Sequence, residues 1–414
     1  MKKEKPFKIT QEEVLEAYKK VKANKGAPGI DEVSLQEYEN NLKNNLYKLW
    51  NRMASGTYFP QAVRSVEIPK KNGKGVRLLG VPTINDRIAQ TVIVGRLEPH
   101  LEPLFYPDSY GYRPGKKATD AIGVTRERCW RYEWVIEFDV KGLFDNINHE
   151  LLMKAVQKHI DTKWVLLYIQ RSLKAPMKMP DGTEKERSFG TPQGGVISAI
   201  LSNLFMHYAF DHWITRTWPE NPWARYADDG LIHCHTQREA ELILEQLKQR
   251  MSQCQLEIHP EKTKIVYCKD ENRPGDHEHT SFDFLGYTFR ARTVKTRKGK
   301  YFTGFTPAVS KDAIKSLRVK VRRLRKLAFL SMTELAQLLN PIIRGWANYF
   351  KHYTPSAVHS ELSQVNLHLA RWVMRKYKRF KNKMMAALGW LGTIAKSDPA
   401  LFVHWKMGIC PKGD

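Results

Sequence analysis

The chain has 414 residues, is 42% hydrophobic, and carries 68 Lys and Arg against 43 Asp and Glu, a formal charge of +25. That length supports roughly two to four ordinary cores, and so large a positive excess fits a polyanionic partner, nucleic acid first and an anionic membrane surface second. No apolar run approaches the roughly 20 residues of a spanning helix, so no membrane partner is expected. The basic start MKKEKPFKITQEEV has no apolar core behind it and does not read as a signal peptide. The five cysteines, Cys129, Cys234, Cys254, Cys268 and Cys410, form no CxxC pair. This argues against a disulfide framework or a Cys-rich zinc site and for a reduced, cytoplasmic setting.

In chain order, TQEEVLEAYKKVKA (10–23) predicts a helix, with Thr10 and Glu13 spaced as a capping box. NKGAPGID is a Gly/Pro loop. Residues 61–81 predict a hairpin around a Lys/Gly turn, and a helix is expected from near Asn85. A short apolar strand ends at Asp139, and INHELLMKAVQKHI then reads as an amphipathic helix. The stretch 190–214 is a Gly-rich turn entering a strongly apolar helix, with Ser198 as its expected cap. WARYA and GLIHCH predict two short strands flanking Asp228 and Asp229, and a helix is expected over 236–254. His233 and His235 would share one face of their strand with Cys234 on the other, which favours plain strand over a metal site. LEIHPEKTKIVYC and FDFLGYTFRAR are strand-like.

The character changes near 310. Residues 311–327 place Ile314, Leu317, Val321 and Leu324 on one helical face with bases around the rest. Residues 311–383 hold 17 Lys and Arg against three Asp and Glu, over half of the whole charge excess. A domain boundary is expected near 300.

Adjacent aspartates between apolar strands need an explanation, because burying unpaired like charges is costly. If the strand ending at Asp139 neighbours the Asp228–Asp229 turn, three carboxylates meet at one sheet edge. Oxygen-only donors with water positions left over suit Mg2+. Two such ions can activate a primer 3′-hydroxyl and neutralise leaving pyrophosphate.

The order strand–Asp, Gly-rich turn and helix, YADD hairpin, HPEKTK and FLGY resembles the palm of reverse transcriptases. EIPKKNGKGVRLLGVPTINDRIAQ, SYGYRPGKKATDAI, FDVKGLFDNINHELL, GTPQGGVIS and NPIIRGWANYF extend the resemblance, over about residues 10–410, to group II intron reverse transcriptase/maturases. The resemblance implies an α+β right-hand polymerase: fingers and palm over 1–300, a helical thumb/maturase domain over 301–365, and a basic helical DNA-binding-like region over 366–414.

It further implies that Asp139, Asp228 and Asp229 are catalytic and hold two Mg2+ ions. Lys70 and Arg77 would hold the triphosphate. Phe144 would sit at the steric gate that favours dNTPs. Gln193 and Gly194 would pack on the incoming nucleotide, Arg113 would contact template or nucleotide, and Lys262 would act as general acid for pyrophosphate. Arg322, Arg323, Arg325, Arg344, Arg371, Arg375, Lys376, Lys378 and Arg379 would contact RNA or DNA. The RWVMRKYKRFKNK run interleaves bases with aromatics, as phosphate contact plus base stacking requires. Trp346 reads as packing. The expected partners are group II intron RNA, an RNA template, a DNA primer or target, and dNTPs. The expected function is RNA-directed DNA synthesis with assistance to splicing and to mobility by target-primed reverse transcription. The alternatives are an RNA-binding splicing factor with an idle polymerase, a domesticated or defence-associated reverse transcriptase, and an RNA-dependent RNA polymerase, the last opposed by Phe144. The ending HWKMGICPKGD lacks the paired cysteines of an HNH endonuclease, so the chain is not expected to cut a second DNA strand.

Overall fold

A computed structural model describes residues 5–69, 75–295, 298–323 and 326–412. Lys70, Leu324 and Arg325, all singled out above, lie outside the described residues. The chain forms two compact units, 1–117 with 136–264, and 118–135 with 265–414.

In the first unit, helix Gln11–Ala23 starts at the expected box: Thr10 and Glu13 satisfy each other's backbone donors. Its buried face is Val14, Ala17, Tyr18 and Val21, the 3–4 spacing of an amphipathic helix. Strands β1 (Val63–Pro69) and β2 (Val76–Val81) form the expected antiparallel hairpin, in register from Arg64 opposite Val81 to Pro69 opposite Val76. Helix Ile84–Leu101 follows, capped by Thr83, whose hydroxyl accepts from Asp86 N.

Strand β3 (Trp134–Asp139) is buried almost throughout, which suits its near-continuous apolar run. Two short strands, β4 (Met177–Lys178) and β5 (Glu184–Lys185), extend the hairpin into a sheet of order β2-β1-β4-β5. Strands β6 (Trp223–Tyr226), β7 (Asp229–Cys234) and β8 (Lys264–Tyr267) give a second sheet of order β6-β7-β3-β8. Gly230 lies on Phe138: a Cβ there would come within 2.2 Å of the ring.

The apolar helix spans 198–217, but not as one α-helix. Between Ser198–Met206 and His212–Thr217 lies a π-helical turn, His207–Asp211. Ser198 does not cap it; Ile197 takes that place and the Ser198 hydroxyl donates to Pro192 O at 2.8 Å.

In the second unit, helix Ala118–Arg131 joins an antiparallel sheet of β9 (Ser281–Phe284), β10 (Tyr287–Lys295) and β11 (Tyr301–Val309), and Trp130 Nε1 donates to Phe305 O at 3.0 Å. Helices Lys311–Arg323, Met332–Phe350, Pro355–Lys376 and Met384–Ser397 follow. Neither limit expected from the sequence falls at a structural break. Residue 300 lies in the turn between the paired β10 and β11, and 366 lies inside a helix. Charge marks a change of surface, whereas strand pairing and helix packing decide the units. No described helix is long and apolar enough to cross a membrane.

Asn366, buried in helix Pro355–Lys376, ties down the end of the described chain. Its Oδ1 accepts from His404 Nε2 at 2.8 Å and Trp405 Nε1 at 2.9 Å, and its Nδ2 donates to Ile409 O at 3.0 Å. Asn366→Ala orphans two donors and an acceptor in an apolar setting. It is expected to lower stability by about 2–4 kcal/mol, read as a shift of the urea midpoint followed by Trp fluorescence.

Candidate active site

Asp139 ends β3, and its carbonyl accepts from His259 N at 2.8 Å. Asp228 and Asp229 occupy the β6–β7 hairpin, in which Tyr226 opposes Asp229 across a two-residue turn. The turn is fixed to β3 by Val140 N donating to Asp228 O at 3.0 Å. Ala227, its first residue, has φ +58, a left-handed conformation that a residue with a Cβ holds only when its surroundings impose it.

The carboxylates crowd one another. Burial pushes the Asp229 carboxyl up to about 7, with Asp228 and Asp139 adding to the effect. Burial, and then the charge of Asp139, also raise Asp228. Lys262 Nζ stands 2.8 Å from Asp139 Oδ2, so this lysine of HPEKTK joins the group. Among the described residues no three His, Cys, Asp or Glu side chains converge tightly enough to form a ready-made metal cage. A group of oxygen donors short of positive charge, with ligand positions left open, fits a hard divalent cation that also takes water and phosphate oxygens.

Beside the carboxylates, Arg77 on β2 donates through Nε to Gln193 Oε1, and Gln193 Nε2 donates to Asp145 Oδ2 at 3.0 Å. Gly194 has φ +113, and a Cβ there would meet Gly80 O at 2.5 Å; only glycine fits. The TPQGG loop is also bound to the segment after β3, with Thr191 N donating to Phe144 O and Gly190 N to Ile147 O. Phe144 is mostly buried, and its ring meets Tyr112 edge-on at 6.1 Å. Tyr112 in turn faces Tyr226 at 6.3 Å. The two tyrosines complete an aromatic wall that sequence reasoning passed over, although both lie in quoted motifs.

Arg113 does not join this group. Its guanidinium lies 2.7 Å from Glu102, donates to Tyr106 O and Ser109 O, and covers the Phe105 ring at 5.3 Å. It holds its loop together in place of the expected template or nucleotide contact. Sequence reasoning also missed Arg225, whose side chain is fully buried against Asp211. An arginine inside the apolar WARYA strand was the available signal.

In the second unit, Arg322, Arg323 and Arg344 are exposed, as are Arg375, Lys378 and Arg379. Arg371, half-buried, shares with Arg318, Arg322, Gln364 and His368 an open pocket of about 470 Å³. Arg379 lies 4.6 Å from the Phe380 ring. Lys376 does not face outward: its ammonium donates to Ala328 O and Leu330 O, so it serves as a loop anchor and not as the expected nucleic-acid contact. Trp346 packs on Phe350 at 5.1 Å, and the Tyr349 hydroxyl donates to Leu285 O.

Comparison with known proteins agrees with this geometry. Residues 68–289 match the family described as reverse transcriptase (RNA-dependent DNA polymerase). Residues 314–388 match the group II intron, maturase-specific domain. Protein YkfC of Escherichia coli K12 is 33% identical over 319 residues, covering 67% of this chain and 81% of YkfC. The group II intron-encoded protein LtrA of Lactococcus lactis subsp. cremoris is 34% identical over 194 residues, 46% of this chain and 32% of LtrA. A telomerase structure from Candida albicans overlaps 85% of the chain at 12% identity and a TM-score of 0.45, too remote to argue from.

The raised Asp229 carboxyl has a consequence for the metal-free protein. An unfolded aspartate loses its proton near 4, roughly, whereas this one holds it to about 7. The folded state therefore binds the extra proton between those values, and stability falls as pH rises through that window. Asp229→Asn removes the penalty. In EDTA at pH 8 it is expected to raise the melting temperature by about 2–4 °C for each ~1 kcal/mol relieved. MgCl2 should then raise the wild-type melt and leave the variant's nearly unmoved. Scanning calorimetry at pH 5 and 8 checks both, and identical melts at pH 8 would contradict the crowding.

Proposed function

The chain belongs to the reverse transcriptases and carries a group II intron maturase-specific domain, and from that premise we propose how its RNA-directed DNA polymerase works and what it serves. The observation that carries the reading is the meeting of Asp139, Asp228 and Asp229 at one sheet edge, beside an arginine–glutamine pair and an aromatic wall.

Asp139, Asp228 and Asp229 hold two Mg2+ ions, which when bound activate the primer 3′-hydroxyl and neutralise charge on the departing pyrophosphate. Arg77 clamps the triphosphate bidentately, and Gln193 and Gly194 let the backbone approach the incoming nucleotide. Phe144 fills the place of a ribose 2′-hydroxyl and selects dNTPs. Lys262, seated on Asp139 in the absence of substrate, turns to the triphosphate and gives its proton to pyrophosphate. The palm and fingers are carried by residues before the paired β10 and β11, and the thumb/maturase domain and basic tail by the helices that follow. The exposed bases Arg322, Arg323, Arg344, Arg375, Lys378 and Arg379, with the half-buried Arg371, bind the parent intron RNA by phosphate and shape, which assists splicing and, with target DNA as primer, mobility.

Primer extension on an RNA template with dNTPs and Mg2+ tests the polymerase. Asp228→Asn is expected to cut kcat by about 1000-fold or more with the fold intact. A folded wild type that binds RNA and makes no DNA would instead favour the idle-polymerase reading. Phe144→Ala is expected to raise rNTP incorporation relative to dNTP, and unchanged discrimination would remove its assignment. Replacing Arg322 and Arg371 by Gln should reduce the slope of log affinity against log salt by about one for each phosphate left without its arginine. Filter binding to intron RNA measures it.

A further inference from the structure

The guanidinium of Arg225 has five N–H donors, and each has a partner. Nε and Nη2 donate to the two carboxylate oxygens of Asp211, both at 2.6 Å. Nη2 also donates to Ser109 Oγ at 2.8 Å. Nη1 donates to Asn203 Oδ1 at 3.2 Å and to Ala227 O at 3.1 Å. Neither Arg225 nor Asp211 has any exposed side-chain surface. A pair so deep is weak evidence for stability by itself, because an apolar pair of similar volume often serves as well. Its placement says more.

Two left-handed residues flank this cluster, Ala227 and Tyr112, each with φ +58. Ala227 belongs to the turn that carries Asp228, and its carbonyl is one of the five acceptors. Tyr112 belongs to the aromatic wall, and its loop is tied in twice. Arg225 N donates to Asp108 O and Tyr110 N to Arg225 O. Asn203, while accepting from Arg225, donates from Nδ2 to Gly111 O at 2.7 Å. Gly111 then lies so close to the turn that a Cβ would come within 2.5 Å of Ala227 N. One guanidinium thus holds both sides of the nucleotide site.

We propose that Arg225, with Asp211, Asn203 and Ser109, is a positioning clamp that sets the Asp228–Asp229 turn against the Tyr112 wall, and that Tyr112 contacts the incoming dNTP. The clamp touches neither substrate nor metal and acts through the residues it holds. Its two arms carry different kinetic signatures. The Ala227 arm places carboxylates that act in the transition state, so its loss lowers kcat. The Asn203–Gly111 arm places a wall met in the ground state, so its loss raises the KM for dNTP. The proposal rests on the polymerase reading above.

The test uses single-nucleotide incorporation on an RNA template with a DNA primer, alongside thermal melts of the full chain. The double variant Asp211→Leu/Arg225→Met removes both buried charges and keeps apolar volume. It is expected to melt near the wild type and to lose about 100-fold in kcat, the order expected for a carboxylate displaced by about 1 Å. Asn203→Leu is expected to raise the dNTP KM about 5–10-fold with kcat changed less than about 3-fold, the split that weaker ground-state binding gives. Tyr112→Ala should reproduce that KM effect, and Tyr112→Phe should restore the wild-type value.

Arg225→Lys keeps the charge opposite Asp211 but has three donors for five acceptors, so it separates positioning from folding if the double variant melts early. A loss of kcat in a lysine variant that melts normally supports the clamp. A folded double or lysine variant with wild-type kcat and KM overturns it. If the wild type itself makes no DNA, the polymerase reading fails. MgCl2 alone then tests the clamp: a thermal shift in the wild type that is lost in the double variant supports it, and equal shifts overturn it.

Discussion

Three carboxylates that repel one another have to be held together for this site to exist. Asp139 is buried and Asp228 and Asp229 are half-buried, so solvent relieves them only in part, and Lys262 stands against Asp139 before substrate arrives. The surrounding structure can be understood as the means of holding them. Buried β3 fixes Asp139 from one side. The short β6–β7 hairpin brings two more acids to the same edge, and a backbone bond from Val140 to Asp228 locks the two pieces in register. The fold therefore accepts electrostatic strain that a bound divalent cation would relieve. The strain also favours such a cation: a site already neutral would have less to gain from it.

What was legible in the sequence was whatever depends on near neighbours. The box at Thr10 and Glu13, the hairpin from Arg64 to Val81 and the strand ending at Asp139 follow from spacing, turn residues and apolar runs, and all are present. The carboxylate group was legible because its members lie at strand ends in an ordered set of motifs. The supports were not. Arg225 meets Ser109, Asn203 and Asp211, which lie 116, 22 and 14 residues away in the chain, and no local pattern announces such a meeting. Arg113 and Lys376 misled for a related reason: a basic residue in a sequence says nothing of whether water, phosphate or a neighbouring carbonyl will receive its protons. The π-helical turn left no compositional trace either, since HYAFD is ordinary helix material.

The second unit handles its charge differently. Its helices bury Leu317, Val321, Leu335, Leu339, Leu362 and Leu369 on their inner faces, while lysines and arginines crowd the outside. The match to the maturase-specific domain runs from 314 to 388, across helices that also carry much of the positive excess. The charge pattern and the family agree there because both reflect one surface. The limits of the folded unit follow its sheet and its buried anchors, such as Asn366, and these are silent in composition.

The π-helical turn at His207–Asp211 fixes more than a local shape. In an unbroken α-helix, positions eight residues apart point about 80° away from each other around the axis. Asn203 and Asp211 are eight apart, yet both reach the guanidinium of Arg225. The wider turn, with its i to i+5 bonding, absorbs one surplus residue and brings the second position back into phase with the first. Surplus residue and wide turn are therefore a matched pair. Were the same number of residues wound as regular helix, Asp211 would swing out of line with Asn203, parting the two ends of the arginine's support without altering either residue. A stretch one residue shorter and regularly wound would keep them aligned. The phase of this helix, set by how its residues are wound as well as by how many there are, is as much a part of the site as its side chains.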